Sequence, residues 1–169
     1  KELDQVRERY ESRTGSVART FDHICDVLYS LDYLQSEDSS QNQILHLTER
    51  GQLLRRLYNE LDIVFAEAIC EGIFNDLSPL ELLSCLSALV YESRGPAGGE
   101  PRRYPGGKDG AIFNTVLRMK ELFMRTSALC ADAHLPALRP LEFGAVDIMY
   151  DWANGADLAL SLIHISEPT

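Results

Sequence analysis

The sequence predicts a mainly α-helical protein, a bundle of helices with one small hairpin and a small winged-helix-like element. Three observations carry this reading. Apolar residues recur at helical spacing in residues 16–31, 48–61, 79–93, 111–131 and 141–153. Only residues 44–47 (ILHL) read as a strand. No internal repeat and no heptad array interrupts the pattern.

Residues 3–13 are mostly polar, with Leu3, Val6 and Tyr10 as a thin apolar stripe, and read as a short helix or frayed lead-in. Residues 16–31 make a better helix, with Val17, Phe21, Ile24, Val27, Leu28 and Leu31 on one face. Residues 35–43, with Ser36, Ser39 and Ser40, read as a polar turn. Thr48 then caps a helix through residue 61 that continues to residue 69, with Leu53, Leu54 and Leu57 expected inside. Helix, short strand and helix around a Thr-Glu-Arg-Gly turn form a small winged-helix-like element.

The clearest helix start is at Ser78. Ser78 is the N-cap, Pro79 stands at the first helical position and Glu81 follows three residues after the cap. Together they make a capping box with proline at N1. Leu82, Leu83, Leu86, Leu89 and Val90 form one broad apolar stripe, and the helix is expected to run to residue 93. Ser84, Ala88 and Glu92 line up at i, i+4 and i+8 on another side, small at first and charged at the end. Residues 95–110 hold too much glycine and proline for regular structure and read as a solvated, mobile loop. Residues 111–131 form a long helix with Ile112, Val116, Met119 and Phe123 along one stripe. Pro136 and Pro140 bound a connection, and the helix at 141–153 is stopped by Asn154-Gly155.

A chain of 169 residues with 45% hydrophobic residues can bury one domain core, or one with an appended subdomain. No apolar run approaches the roughly 20 residues that a membrane span requires. The charged start, KELDQVRERYESR, lacks the apolar segment of a signal peptide, and Lys1 in place of an initiator methionine suggests a fragment. Cys25, Cys70, Cys85 and Cys130 lie in apolar helical patterns without a CxxC pair, so buried free thiols in a reducing cytoplasm are expected. The four histidines are scattered and indicate no metal site. A formal charge of −10 argues against broad, independent binding of nucleic acid, which usually needs a basic surface.

Two runs and a third, weaker one carry a family resemblance. Residues 72–94, GIFNDLSPLELLSCLSALVYESR, resemble the opening of the DSHCT domain, the C-terminal helical domain of large DExH-box RNA helicases. Residues 146–158, VDIMYDWANGADL, are similar to that family's Tyr-x-Trp-Ala-x-Gly run, through Tyr150, Trp152, Ala153 and Gly155. Residues 45–54, LHLTERGQLL, look like the segment leading into the domain. Order and approximate spacing agree over most of residues 15–160. The resemblance implies a winged-helix-like lead-in at 1–70 and a DSHCT helical domain at 71–160. From about residue 161, SLIHISEPT leaves the family pattern and looks like translated adaptor sequence. Residues 161–169 are therefore expected to be non-native. The final helices of the domain are expected to be missing, leaving an exposed apolar patch on the helix at 141–153.

The resemblance also implies a site. It places Glu92 at the end of a helix lining an RNA channel, with Ser84, Ala88 and Tyr91 within a turn or two. Small residues would let the strand approach, and the acidic tip would reach a base edge or ribose. From spacing alone, Glu92 is equally an ordinary solvated residue on a surface helix. Arg102, Arg103 and Lys108, interleaved with Tyr104, offer phosphate contacts, although such loops are more often only solvated. Pro105-Gly106-Gly107-Lys108 is no P-loop, since Arg102 replaces the first glycine and Asp109 the magnesium-holding Ser/Thr. Tyr150 and Trp152 could stack on bases, but their place in an apolar helix favours core packing. Asp147 and Asp151 are expected to face solvent.

The reading is the C-terminal accessory part of an ATP-dependent RNA helicase. The resemblance implies a parent that hydrolyses ATP with magnesium in two RecA-like domains and moves 3′ to 5′ along single-stranded RNA. This segment would pack on those domains, line the channel and act as a ratchet. It has no catalytic residues or cofactor of its own. One rival is a winged-helix DNA-binding regulator, which needs a basic recognition helix, whereas Arg50, Arg55 and Arg56 are balanced by Glu49 and Glu60. The other is a helical protein-interaction module without nucleic-acid binding, which the acidic charge suits.

Overall fold

Long apolar-patterned segments fold as helices here, and short polar side chains decide where those helices stop. The computed structural model describes residues 2–39, 42–93 and 99–156, with side chains over 15–36, 45–93 and 99–156. In order these are α1 (Glu2–Ser30), β1 (Leu34–Ser39), β2 (Asn42–Leu47), α2 (Glu49–Leu54), α3 (Asp62–Cys70) and α4 (Pro79–Leu86). A 3-10 turn (Ser87–Leu89), α5 (Ala111–Asp132) and α6 (Val146–Ala153) come next. The architecture is mainly α with one two-stranded antiparallel sheet, as expected. The tail expected to be non-native, 161–169, lies outside the described residues; on the helix at 141–153, where an exposed apolar patch is expected, Trp152 is exposed while Ile148, Met149 and Tyr150 are half-buried. Backbone contacts gather the chain into two compact units, 1–56 with 127–138, and 57–126 with 139–169.

In the first unit, α1 is one continuous helix rather than a lead-in and a second helix. It ends where Asp32 turns left-handed at φ 60 and the Tyr33 N–H reaches back to the Leu28 carbonyl at 2.8 Å, a Schellman-type stop. The expected polar turn at 35–43 instead supplies most of a hairpin. β1 and β2 pair in antiparallel register from Leu34 opposite Leu47 to Ser39 opposite Asn42. Strand pairing satisfies backbone groups even where side chains are polar, so composition alone did not reveal β1. Tyr33 is fully buried and Val27 and Cys130 nearly so. The Tyr33 carbonyl meets α2 so closely that a Cβ at Gly51 would lie 2.3 Å from it. Thr48 ties the junction: its hydroxyl donates to the Asp32 carbonyl at 2.6 Å and accepts the Gly51 N–H at 3.1 Å. The outer part of the α1 stripe is exposed rather than buried, with Val17 at 70% and Phe21 at 60%. Helical periodicity shows which residues share a face, not whether that face is covered.

The second unit holds the main core: Leu61, Val64, Ala66 and Ile73, then Cys85, Ala88 and Leu89, then Ile112, Val116, Met119 and Leu122, closed by Phe143 and Val146. The helix expected to run from Thr48 to residue 69 is broken into α2 and α3. α2 ends at Leu54, and Asn59 turns the chain ahead of α3, its side-chain oxygen accepting the Leu61 N–H at 2.8 Å. Leu53, Leu54 and Leu57 end up half-buried. The helix expected at 141–153 begins only at Val146, while α5 and the stop at Gly155, with φ 96, match expectation. α6 packs against α4 and against the 3-10 turn.

Candidate functional site

The site is built on α4 and the short segment after it. Ser78 and Glu81 form the expected capping box. The Ser78 N–H donates to the Glu81 carboxylate at 2.8 Å, and the Ser78 hydroxyl accepts the Glu81 N–H at 3.4 Å. Replacing Ser78 by alanine is expected to cost about 1 kcal/mol of unfolding free energy, measurable by denaturant titration. No change in the transition midpoint would contradict this role for the cap.

The helix stops earlier than its apolar stripe predicts. Ser84 donates its hydroxyl to the Leu80 carbonyl at 2.8 Å and Ser87 to the Ser84 carbonyl at 2.6 Å. Such back-bonding competes with the helical ladder. After the 3-10 turn, residues 91–93 have no regular secondary structure.

This divides the four candidate residues into two pairs. Ser84 and Ala88 are at 0% exposure, inside the second unit. They are not a surface stripe that a strand could approach, which corrects the expectation of a small-residue contact face. A small side chain allows close approach by any neighbour, and here the neighbours are the protein's own core. Tyr91 is half-buried and Glu92 exposed, beyond the helix rather than on its last turn. These two form an accessible edge.

The edge is held by residues that no sequence motif singles out. Arg139 donates to the Tyr91 carbonyl at 3.0 Å and to the Leu89 carbonyl at 2.7 Å. Asn59 adds a second donor to the Leu89 carbonyl at 3.0 Å, and the Ser93 N–H donates to Glu142 at 2.6 Å. These partners lie 30 to 50 positions away in sequence, so no local signal announces them. Beside the edge opens an apolar cavity of about 400 Å³, lined by Phe65, Leu83, Leu86, Val90, Tyr91 and Met149 among others.

The other candidates are mostly engaged. Arg103 pairs with Asp151 and Lys120 with Glu100, which also accepts a hydrogen bond from the Tyr104 hydroxyl. The Tyr104 ring meets Phe113 edge-on at 4.9 Å. Residues 99–110 are therefore tied down rather than merely solvated. Gly106 and Gly107 both take positive φ in the turn entering α5. Lys108 is exposed. Trp152 is 44% exposed, so it is not the core residue its apolar helix suggested. Asp147 is buried rather than solvent-facing. Burial pushes its carboxyl up, against the opposing pull of nearby N–H groups and Arg103. Burial likewise pushes the Cys85 thiol up to about 12, so it is no nucleophile at neutral pH. Cys130 is also buried, but Cys25 is only half-buried and Cys70 exposed, which corrects the expectation of four buried thiols. Among the described residues no cluster of three or more His, Cys, Asp or Glu could hold a metal ion. No described helix is long and apolar enough to cross a membrane.

The winged-helix regulator gains nothing from this geometry. α2 has six residues, and Arg50 lies over the Tyr33 ring at 5.3 Å instead of presenting a basic recognition face.

Comparison with known proteins agrees with the sequence resemblance. Residues 45–164 match the DSHCT (NUC185) domain. A protein named "Probable helicase HelY" from Mycobacterium leprae is 34% identical over 165 residues, covering 94% of this chain and 17% of the relative. Its namesake from Mycobacterium tuberculosis is 31% identical over 161 residues, with the same coverage. "DExH-box ATP-dependent RNA helicase DExH11" from Arabidopsis thaliana is 23% identical over 110 residues, 65% of this chain and 8% of that protein. The chain thus spans about a sixth of the length of the HelY relatives it matches.

Proposed function

This chain belongs to the DSHCT (NUC185) domain family, and from that premise we propose that it is the accessory domain of an ATP-dependent RNA helicase, with the Tyr91–Glu92 edge facing the nucleic acid. The parent's RecA-like domains bind ATP and magnesium and do the hydrolysis. This domain lines the path of a single strand and acts as a ratchet, holding it between steps in a cytoplasmic enzyme. The observation that supports this is an exposed acidic side chain and a half-exposed tyrosine, both on a segment fixed by Arg139, Asn59 and Glu142. A carboxylate repels phosphate but accepts hydrogen bonds from ribose hydroxyls and base amino groups. An aromatic ring can stack on a base. The charge of −10 leaves most phosphate contacts to the ATPase domains.

The test is made in the complete helicase. Glu92→Ala and Tyr91→Ala are expected to lower base pairs unwound per ATP hydrolysed, with RNA-stimulated ATP hydrolysis largely kept. Wild-type coupling in both variants would overturn the reading. A second reading, a protein-docking module, is favoured by the apolar cavity beside the edge. It predicts that outcome of unchanged coupling, so the same assay separates the two.

A further inference from the structure

The segment that carries the candidate edge has little backbone support of its own. The Val90 and Tyr91 N–H groups return to the Ser87 carbonyl at 3.1 and 2.8 Å. Side chains supply further contacts: Glu142 accepts the Ser93 N–H, Asn59 donates to the Leu89 carbonyl, and Arg139 spans the segment, with one Nη on the Tyr91 carbonyl, the other on the Leu89 carbonyl and Nε facing the Glu60 carboxylate at 3.1 Å. Its side chain is only 16% exposed, whereas that of Glu60 is 77% exposed. The ion pair with Glu60 is therefore a weak, solvent-screened contact, and the two carbonyls are the partners that matter.

The chemistry explains why an arginine stands here. The end of a helical segment presents carbonyls that have no partner further along the chain and carry the negative end of the helix dipole. A guanidinium is permanently charged and planar, and spreads its donors across a fork. It can meet two carbonyls two residues apart at once. An ammonium is a single point of charge on a flexible stem and does not fix both.

We infer that Arg139 is the positioning residue of the edge: by holding the Leu89 and Tyr91 carbonyls it sets the direction in which Glu92 is presented to the strand. It touches no nucleic acid itself. The inference rests on the strand-facing reading of Tyr91 and Glu92.

The experiment is a double-mutant cycle in the complete helicase, with Arg139→Lys, Glu92→Ala and the two combined. It reads base pairs unwound per ATP hydrolysed, alongside the thermal unfolding midpoint. Arg139→Lys keeps the charge and most of the packing, so its midpoint should stay close to wild type. Coupling should nonetheless fall, by about threefold to tenfold, and the double variant should be no worse than Glu92→Ala alone. Wild-type coupling in Arg139→Lys, or losses that multiply in the double variant, would overturn the inference while leaving the edge assignment standing. Unchanged coupling in Glu92→Ala would overturn this inference; only if Tyr91→Ala were unchanged as well would the strand-facing reading fall with it.

Discussion

Replacing Ala88 by leucine is expected to destabilise the second unit by about 1–3 kcal/mol, the usual cost of forcing extra methylenes into a filled core. Ala88 has no exposed surface, Ser84 beside it has none, and Cys85 and Leu89 on the same turns are also buried. Ala88 does not line the apolar cavity, and α6 packs on α4 and on the 3-10 turn, so the added atoms meet packed neighbours. The result decides between two readings of one pattern. If Ser84 and Ala88 lay on a surface groove, Ala88→Leu would leave stability within about 0.5 kcal/mol and act only on nucleic-acid binding. A lowered denaturation midpoint places the stripe inside.

Gly51→Ala should be the other costly change, about 2 kcal/mol or more in denaturant unfolding. On an open helix the same substitution would stabilise by about 1 kcal/mol, because alanine is the better helix former. Here steric conflict outweighs propensity. The new Cβ would sit 2.3 Å from the Tyr33 carbonyl oxygen and 3.0 Å from the Leu47 side chain. That carbonyl already accepts the Thr48 N–H at 3.2 Å and belongs to a fully buried residue, so it has little room to move. A neutral or stabilising result would show that the α2 junction is looser than this geometry.

The range of an interaction along the chain decides whether the sequence makes it legible. Local chemistry was readable. The Ser78–Glu81 capping box forms as its spacing requires, and the apolar repeat from Ile112 to Met119 marks α5 almost to its ends. Asn154-Gly155 stops α6 through a left-handed glycine. Non-local chemistry was not readable. The turn at Asn59 ahead of α3 is also tied to the Leu89 carbonyl thirty residues away. The close of the 3-10 turn after α4 is held by Arg139, fifty residues away. Burial was the least legible property. Val17 and Phe21 share a good helical stripe yet stand exposed, while Ser84 and Asp147, polar by composition, are buried. The candidate site was therefore half visible. Tyr91 and Glu92 could be found from the resemblance, but the side chains that fix their position appear only in the fold.

The accessible half of that site now carries the functional claim, and the test belongs on Glu92 in the complete helicase. A photo-reactive group placed at that position would be challenged with single-stranded RNA, with and without ATP. An RNA crosslink whose yield changes with nucleotide state is expected if the domain grips and releases a strand. No crosslink in either state, with unwinding intact, would contradict it and leave this domain as a brace or a docking surface.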